Sequence, residues 1–473
     1  METLDDPYHW PATRVAAAIA RRDLSAREYL GLLLSRVSRY NSDLNLVTTI
    51  DERALRWAKD ADDATVRGAP TGRLHGVPMT VKDSLSTAGL RTTAGAVELT
   101  GHVPGEDAEA VGALRRAGAV VFGKTNVPAH CMDVQTANDV FGVSRNPWRP
   151  DRTPGGSSGG GAGAVAAGLT SAELGSDIAG SIRIPAGNCG VFGHKPSFGI
   201  VPLGGHLPPY QPTRPDLAVV GPLGRSVDDL RLLLDVITAP HPFDRPAWRL
   251  ALPPARQVQR VAVWADDPYC PVDGEVRAAV TRAGLLLAEA GIVVEPSSPP
   301  GVTLATNDEI LRRSLAGAVP AADSGERDSP GGGLGAEFAS QRHHDWLRAQ
   351  DRRTRIRRAW RSFFQWYDVL LLPVSASPAI PHDQRAFTER RIVVDGVERP
   401  YWDQIVWAGL AGVSHLPATV VPVRLDASGT PVGVALVGPY LEDLTTLAAA
   451  DLLAERVGGI GVPPLASPPI DPP

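Results

Sequence analysis

The chain is poor in lysine. Its 47 basic residues include only four lysines, Lys59, Lys82, Lys124 and Lys195, and every other cation is arginine. Cysteine is as scarce: Cys131, Cys189 and Cys270 are the whole complement of 473 residues. An odd, sparse set of thiols excludes a disulfide framework and fits a reducing compartment, so a cytoplasmic location is expected. The opening residues Met1-Glu-Thr-Leu-Asp-Asp6 carry neither a positive nor an apolar segment, so no secretory signal is expected. No apolar run approaches the ~18 residues of a bilayer-spanning helix, and no membrane association is expected. A net charge of −5 and the lack of a basic cluster interleaved with aromatics argue against a nucleic-acid partner. The arginine-rich residues 352–361 read as the solvated face of a helix. No set of His, Cys and carboxylates has metal-ligand spacing, so no metal site is expected. No internal repeat is visible.

What the chain has in abundance is glycine, alanine and serine between residues 154 and 197. Glycine costs roughly 0.5–1 kcal/mol more than alanine in a regular element. The run Gly155-Gly-Ser-Ser-Gly-Gly-Gly161 therefore needs a compensating reason. A flexible linker is one reading, but Ala162-Gly-Ala-Val-Ala-Ala167 follows at once and reads as a tightly packed helix. The other reading is a backbone that approaches a ligand closely and aims its N–H groups. Two serines stand out: Ser157 in the glycine loop, and Ser181 after the small-residue turn Asp177-Ile-Ala-Gly180. A hydroxyl behind unhindered backbone N–H groups suits acyl transfer, which needs a nucleophile beside donors for a developing oxyanion. Most serines are plain surface groups, so the assignment needs a base.

The rare lysines supply candidates. Arginine keeps its proton in a protein, whereas a buried lysine can lose it. Lys59 lies in a polar helix; the other three fall in Gly- and Pro-punctuated stretches, and Lys82 follows the apolar segment Val77-Pro-Met-Thr-Val81. Desolvation there would lower its pKa from about 10.4. Two readings stand side by side: Lys82 as a general base, or Lys82 paired with its neighbour Asp83. Gly155-Gly-Ser157-Ser-Gly159 also matches the G-x-S-x-G of a nucleophile elbow, but the preceding Arg149-Pro-Asp-Arg-Thr-Pro154 is not a central strand. No Gly-Lys-Ser/Thr closes the glycine run, which excludes a P-loop.

Three segments, Gly76-Val-Pro-Met-Thr-Val-Lys82-Asp83, Gly155-Gly-Ser-Ser-Gly-Gly160 and Asp177-Ile-Ala-Gly-Ser-Ile-Arg-Ile-Pro185, occur in an order that resembles the amidase signature family. The resemblance runs from the first helix to Pro431-Val-Gly-Val-Ala435 and covers most of the chain. It implies an α/β fold, a large mixed and twisted β-sheet surrounded by helices in a single domain. It implies a Ser–cis-Ser–Lys triad: Ser181 as nucleophile, Ser157 as bridging serine in a cis peptide, Lys82 as base. The amides of Ile178, Ala179 and Gly180 would form the oxyanion hole, with Ser158, Asp177 and Arg183 in support. The implied reaction is hydrolysis of a linear carboxamide through an acyl-enzyme, without a cofactor. Transfer of the acyl group to an amine and the glutaminase subunit of an amidotransferase share that intermediate and stay open. The expected partner is a small amide substrate, and the expected state a monomer or homodimer. One departure is Ala129, where relatives often carry Glu.

One domain spans 1–473, with N-terminal helices about 11–67, the signature core about 68–240, a C-terminal part about 241–462 and a Pro-rich tail 463–473. Ser25 and Glu28 form a capping-box pattern ahead of a helix, and Leu74–Val81 reads as the strand that delivers Lys82. Residues 321–334 look mobile, 381–402 look variable, and Trp360, Phe363, Phe364 and Tyr367 form a core stripe. Ile200–Asp216, with His206, Tyr210 and Arg214, is a candidate pocket wall. Substrate contacts are expected from Cys131, Met132, Asp133, Tyr210, Trp402 and Trp407, although Cys131 and Cys189 also read as small buried residues. Ten tryptophans, two of them near the expected pocket, favour an apolar or aromatic acyl group.

Overall fold

A computed structural model describes residues 3, 5–69, 71–207, 215–318, 338 and 340–465. Tyr210, Arg214, the 321–334 stretch and the end of the tail lie outside the described residues. Eleven strands form one mixed sheet. From one edge its order is Val47–Ile50, Val120–Thr125, Pro78–Lys82, Glu173–Asp177, Val219–Gly224, Phe192–Lys195, Ala418–Leu425, Pro431–Val437, Val369–Pro373, Arg260–Val263 and Val293–Pro296. The Lys82 strand runs parallel to both neighbours, pairing Lys82 with Thr125 and Thr80 with Glu173. All residues of these three strands are buried, as expected where helices cover both faces. One large apolar cluster runs from Ala12 to Leu453, and a small satellite packs around Leu46 and Leu169.

Local chemistry sets the helix ends. Ser25 Oγ accepts the Glu28 N–H at 3.0 Å while the Glu28 carboxylate accepts the Ser25 N–H at 3.3 Å, so the capping box forms and the helix runs Ala26–Leu44. Ser226 Oγ caps Val227–Ile237 by accepting the Asp229 N–H at 3.1 Å. Trp360, Phe363 and Phe364 are buried, as their stripe predicts. The lysine strand begins at Pro78 rather than Leu74, because the chain turns at Gly76, where φ is +73°. Elements that went unforeseen include the edge strand Val47–Ile50, the inner strands Glu173–Asp177, Phe192–Lys195 and Val219–Gly224, the helices Arg183–Cys189 and Leu304–Ala318, and the hairpin Arg391–Val394 with Val397–Pro400.

The glycine run opens the fully buried helix Gly159–Ala166. A Cβ on Gly160 would sit 2.4 Å from the Asn126 nitrogen and 2.8 Å from the Leu46 oxygen, both backbone. Glycine is required there by close approach. Gly160→Ala is expected to destabilise the fold by about 1–3 kcal/mol or more through overpacking, read as a lower melting temperature than that of the control Gly31→Ala, whose Cβ meets open space.

Candidate active site

Three elements converge. The first is the end of the strand Pro78–Lys82, the second the loop before the helix Gly159–Ala166, the third the turn between the strand Glu173–Asp177 and the helix Arg183–Cys189. The two strands are parallel neighbours, so both turns open at the same sheet edge, where an α/β fold builds its sites.

Lys82 is fully buried. Its Nζ donates to Ser157 Oγ at 2.6 Å, to Ser176 Oγ at 3.0 Å and to the Ser176 carbonyl at 3.4 Å. Desolvation holds its pKa below the usual lysine range, against weaker opposing effects of the nearby Cys131, Asp177 and Glu173. Pairing with Asp83 does not occur. Successive side chains of a strand point to opposite faces, and the Asp83 carboxylate instead accepts from the Thr93 N–H and hydroxyl at 3.1 and 2.6 Å. Lys124 and Lys195 are also fully buried, with pKa values pushed down to about 8 and about 7, chiefly by desolvation. Lys124 donates to Thr87 and the Leu85 carbonyl, and Lys195 to the carbonyls of Pro196 and Leu416. Of these three lysines, Lys82 alone is bonded to a serine of the glycine loop.

The Gly156–Ser157 peptide is cis. Ser158 ties the loop to the turn: its N–H donates to the Ser181 carbonyl at 3.1 Å, and its Oγ donates to the Ser176 carbonyl at 3.2 Å. The turn is organised by Asp177. Its carboxylate accepts from the N–H groups of Gly180 and Ile182 at 2.9 and 3.0 Å, and from Arg183 Nε and Nη2 at 3.0 and 2.8 Å. Arg183 overcomes the desolvation of Asp177 and keeps that carboxyl far below the usual range. Gly180, expected among the oxyanion donors, therefore spends its N–H on Asp177. The amides of Ile178, Ala179 and Ser181 have no acceptor among the described residues. Throughout 153–189 every residue is buried except Ile178, Ala179 and Ser181.

The expected substrate contacts divide. Cys131 and Met132 are half-buried, and Cys131 lies beside Lys82 rather than in the core; Cys189 is the fully buried thiol. Asp133 is committed elsewhere: Tyr401 donates to it at 2.8 Å and Arg390 forms an ion pair with it, latching residues 381–402 onto this segment. Trp402 and Trp407 are core residues, not pocket lining. Trp402 Nε1 donates to Asp308 at 2.6 Å, and Trp407 Nε1 to the Cys270 carbonyl at 2.9 Å. Trp402 sits at the N-cap of the helix Asp403–Val413 that carries Trp407, and both belong to the apolar cluster, where Trp407 packs edge-on against Trp264. At Ala129 a short turn follows, and its neighbour His130 pairs with Glu98 at 2.8 Å. Ser176, absent from the motif reading, sits at the centre of the network.

The Amidase family model matches residues 28–447. The chain belongs to the amidase family. It is 34% identical over 467 residues to an indoleacetamide hydrolase of Bradyrhizobium diazoefficiens, covering 95% of this chain and 87% of the relative. It is 33% identical over 479 residues to a glutamyl-tRNA(Gln) amidotransferase subunit of Moorella thermoacetica, covering 94% and 96%. A solved structure described as an amidase superposes with a TM-score of 0.80 at 29% identity, over 94% of this chain and all of that one. The fold is thus the amidase α/β fold, and the protein is an enzyme that hydrolyses C–N bonds of amides. Among the described residues no helix of this amidase is long and apolar enough to cross a membrane, and no cluster has the makings of a metal site.

Proposed function

We propose that this amidase cleaves small linear carboxamides through a Ser181 acyl-enzyme. The observation that carries the reading is the exposure pattern: Ser181 meets solvent beside uncommitted amides, with Ser157 and Lys82 buried behind it. Neutral Lys82 takes the Ser157 proton while Ser157 takes that of Ser181. Ser181 Oγ attacks the carboxamide carbon, and the amides of Ile178, Ala179 and Ser181 receive the oxyanion. The same relay returns a proton to the departing amine, and water then releases the acid. Asp177 and Arg183 hold the turn that points these amides outward. With Trp402 and Trp407 buried, the preference for an aromatic acyl group loses its basis in this chain. Indoleacetamide, which gives one relative its name, is the first member of a panel of carboxamides to be scored by ammonia release. Three free thiols suit work in the cytoplasm.

A serine-directed fluorophosphonate is expected to form one adduct, at Ser181. Peptide mapping that finds it on Ser157 or Ser158 would overturn the assignment and favour a nucleophile in the glycine loop.

A further inference from the structure

The relay uses Ser157 and Lys82 but leaves a third hydroxyl and a histidine unexplained. Ser176 Oγ lies 3.0 Å from Lys82 Nζ, and His206 Nε2 lies 2.9 Å from the same oxygen. Both residues are buried. The His206 backbone is held by its N–H bond to the Leu203 carbonyl and by a bridge to Leu85. Its Nδ1 is buried with no partner among the described residues. Burial, reinforced by the Lys82 charge, pushes the imidazole pKa down to about 3, so the ring is neutral and offers one N–H and one lone pair.

A neutral amine has two N–H donors and one lone pair. To take a proton from Ser157, at 2.6 Å, the lone pair must face Ser157. The Ser176 hydroxyl is a competitor, close enough to give its own proton to that lone pair. It loses the competition if its proton is already held. We propose that His206 Nε2 accepts the Ser176 hydroxyl proton, which obliges Ser176 Oγ to accept from Lys82 and leaves the lysine lone pair to Ser157. The amine then gives one N–H to Ser176 Oγ and one to the Ser176 carbonyl and turns its lone pair to Ser157, with the Cys131 thiol, a weak donor, beside it. The tautomer that follows carries its proton on Nδ1, at the cost of a buried N–H with no acceptor among the described residues. His206 is a positioning residue that gives the relay its direction, and this rests on Lys82 being the base.

The test measures the limiting rate and the half-saturation of Ser181 labelling by a small fluorophosphonate near neutral pH. His206→Phe removes the acceptor and is expected to lower the limiting rate about tenfold, with half-saturation unchanged. His206→Gln, whose carbonyl oxygen reaches toward the Nε2 position, is expected to recover most of the loss. The decisive variant is the double change His206→Phe with Ser176→Ala. It removes the competing hydroxyl, and its rate is expected to rise above that of His206→Phe alone. A purely structural role predicts a double variant no faster than the single one, and that result overturns the proposal. So does an unchanged rate in His206→Phe. If His206→Phe loses its cooperative melt, the Gln variant carries the test: a wild-type rate upholds the acceptor role and a tenfold loss refutes it. Lys82→Ala separates the two levels. Labelling that survives it refutes the relay itself, whereas labelling that it abolishes, with no gain in the double variant, refutes only the role of His206.

Discussion

Lys82→Arg is expected to lose as much activity as Lys82→Ala, about 10²–10⁴-fold in the acylation rate. The comparison separates charge from basicity. Arginine keeps the positive charge and five donors, so a cation that merely held Ser157 and Ser176 in place would survive the change in part. A base would not, because a guanidinium with a pKa above about 12 has no lone pair to offer. The surroundings of Lys82 favour the second outcome. Its hydrogen-bond partners are two hydroxyls and a carbonyl, all neutral, and the adjacent Asp83 is engaged by Thr93. Among the described residues no hydrogen bond joins it to a carboxylate, and burial lowers the lysine pKa against the weaker opposing effects of the adjacent Cys131 and of Asp177 and Glu173. The sign of the pH dependence follows. The reactive form is the unprotonated amine, so acylation rises with pH as Lys82 loses its proton and levels off above its lowered pKa. Pre-steady-state acylation by a chromogenic amide across pH checks both points. Retention of a substantial part of the activity in Lys82→Arg would place the base elsewhere.

How far the sequence led depended on what kind of information each residue carried. Lys82, Ser157 and Ser181 were legible because each sits in a short segment whose composition is strange unless a backbone must come close or a lysine must lose its solvent. Ser176 was not, and His206 was legible only as part of a candidate pocket wall. They are brought together by the pairing of the Glu173–Asp177 strand with its neighbours and by a loop some thirty residues further on, so their contact has no local signature. The sequence places Asp177 in support of the turn, but that the Gly180 N–H goes to its carboxylate appears only in the fold. Trp402 and Trp407 show the converse error. Aromatic residues near a motif in sequence fill cores as readily as pockets, and these two find their N–H partners in Asp308 and Cys270. The hairpin at 391–400 was missed although its signal was present. Asp395-Gly396, with φ of 46° and 80°, is the dipeptide that a tight hairpin turn favours, and Ile392 and Val394 alternate inward with exposed neighbours.

Ser181→Ala is expected to abolish turnover, by a factor on the order of 10⁵–10⁶, while leaving stability within about 0.5 kcal/mol of the parent. The two halves come from one fact. The Ser181 hydroxyl is partly exposed and has no hydrogen-bond partner among the described residues, so its removal strands no buried group. Its backbone, which receives the Ser158 N–H, is untouched by the substitution. Ser157→Ala should behave in the opposite proportion. It removes a buried oxygen bonded to Lys82 at 2.6 Å, so a stability cost of about 1–3 kcal/mol accompanies slower acylation. The nucleophile itself remains in that variant, and a residual acyl-enzyme should still accumulate and be trapped by mass spectrometry. Thermal melts, single-turnover acylation and intact-mass measurement on the two variants separate the roles. An acyl adduct on the Ser181→Ala protein would mean that the attacking oxygen belongs to another residue, and a melt as deeply depressed as that of Ser157→Ala would mean that the Ser181 hydroxyl is bonded within the fold.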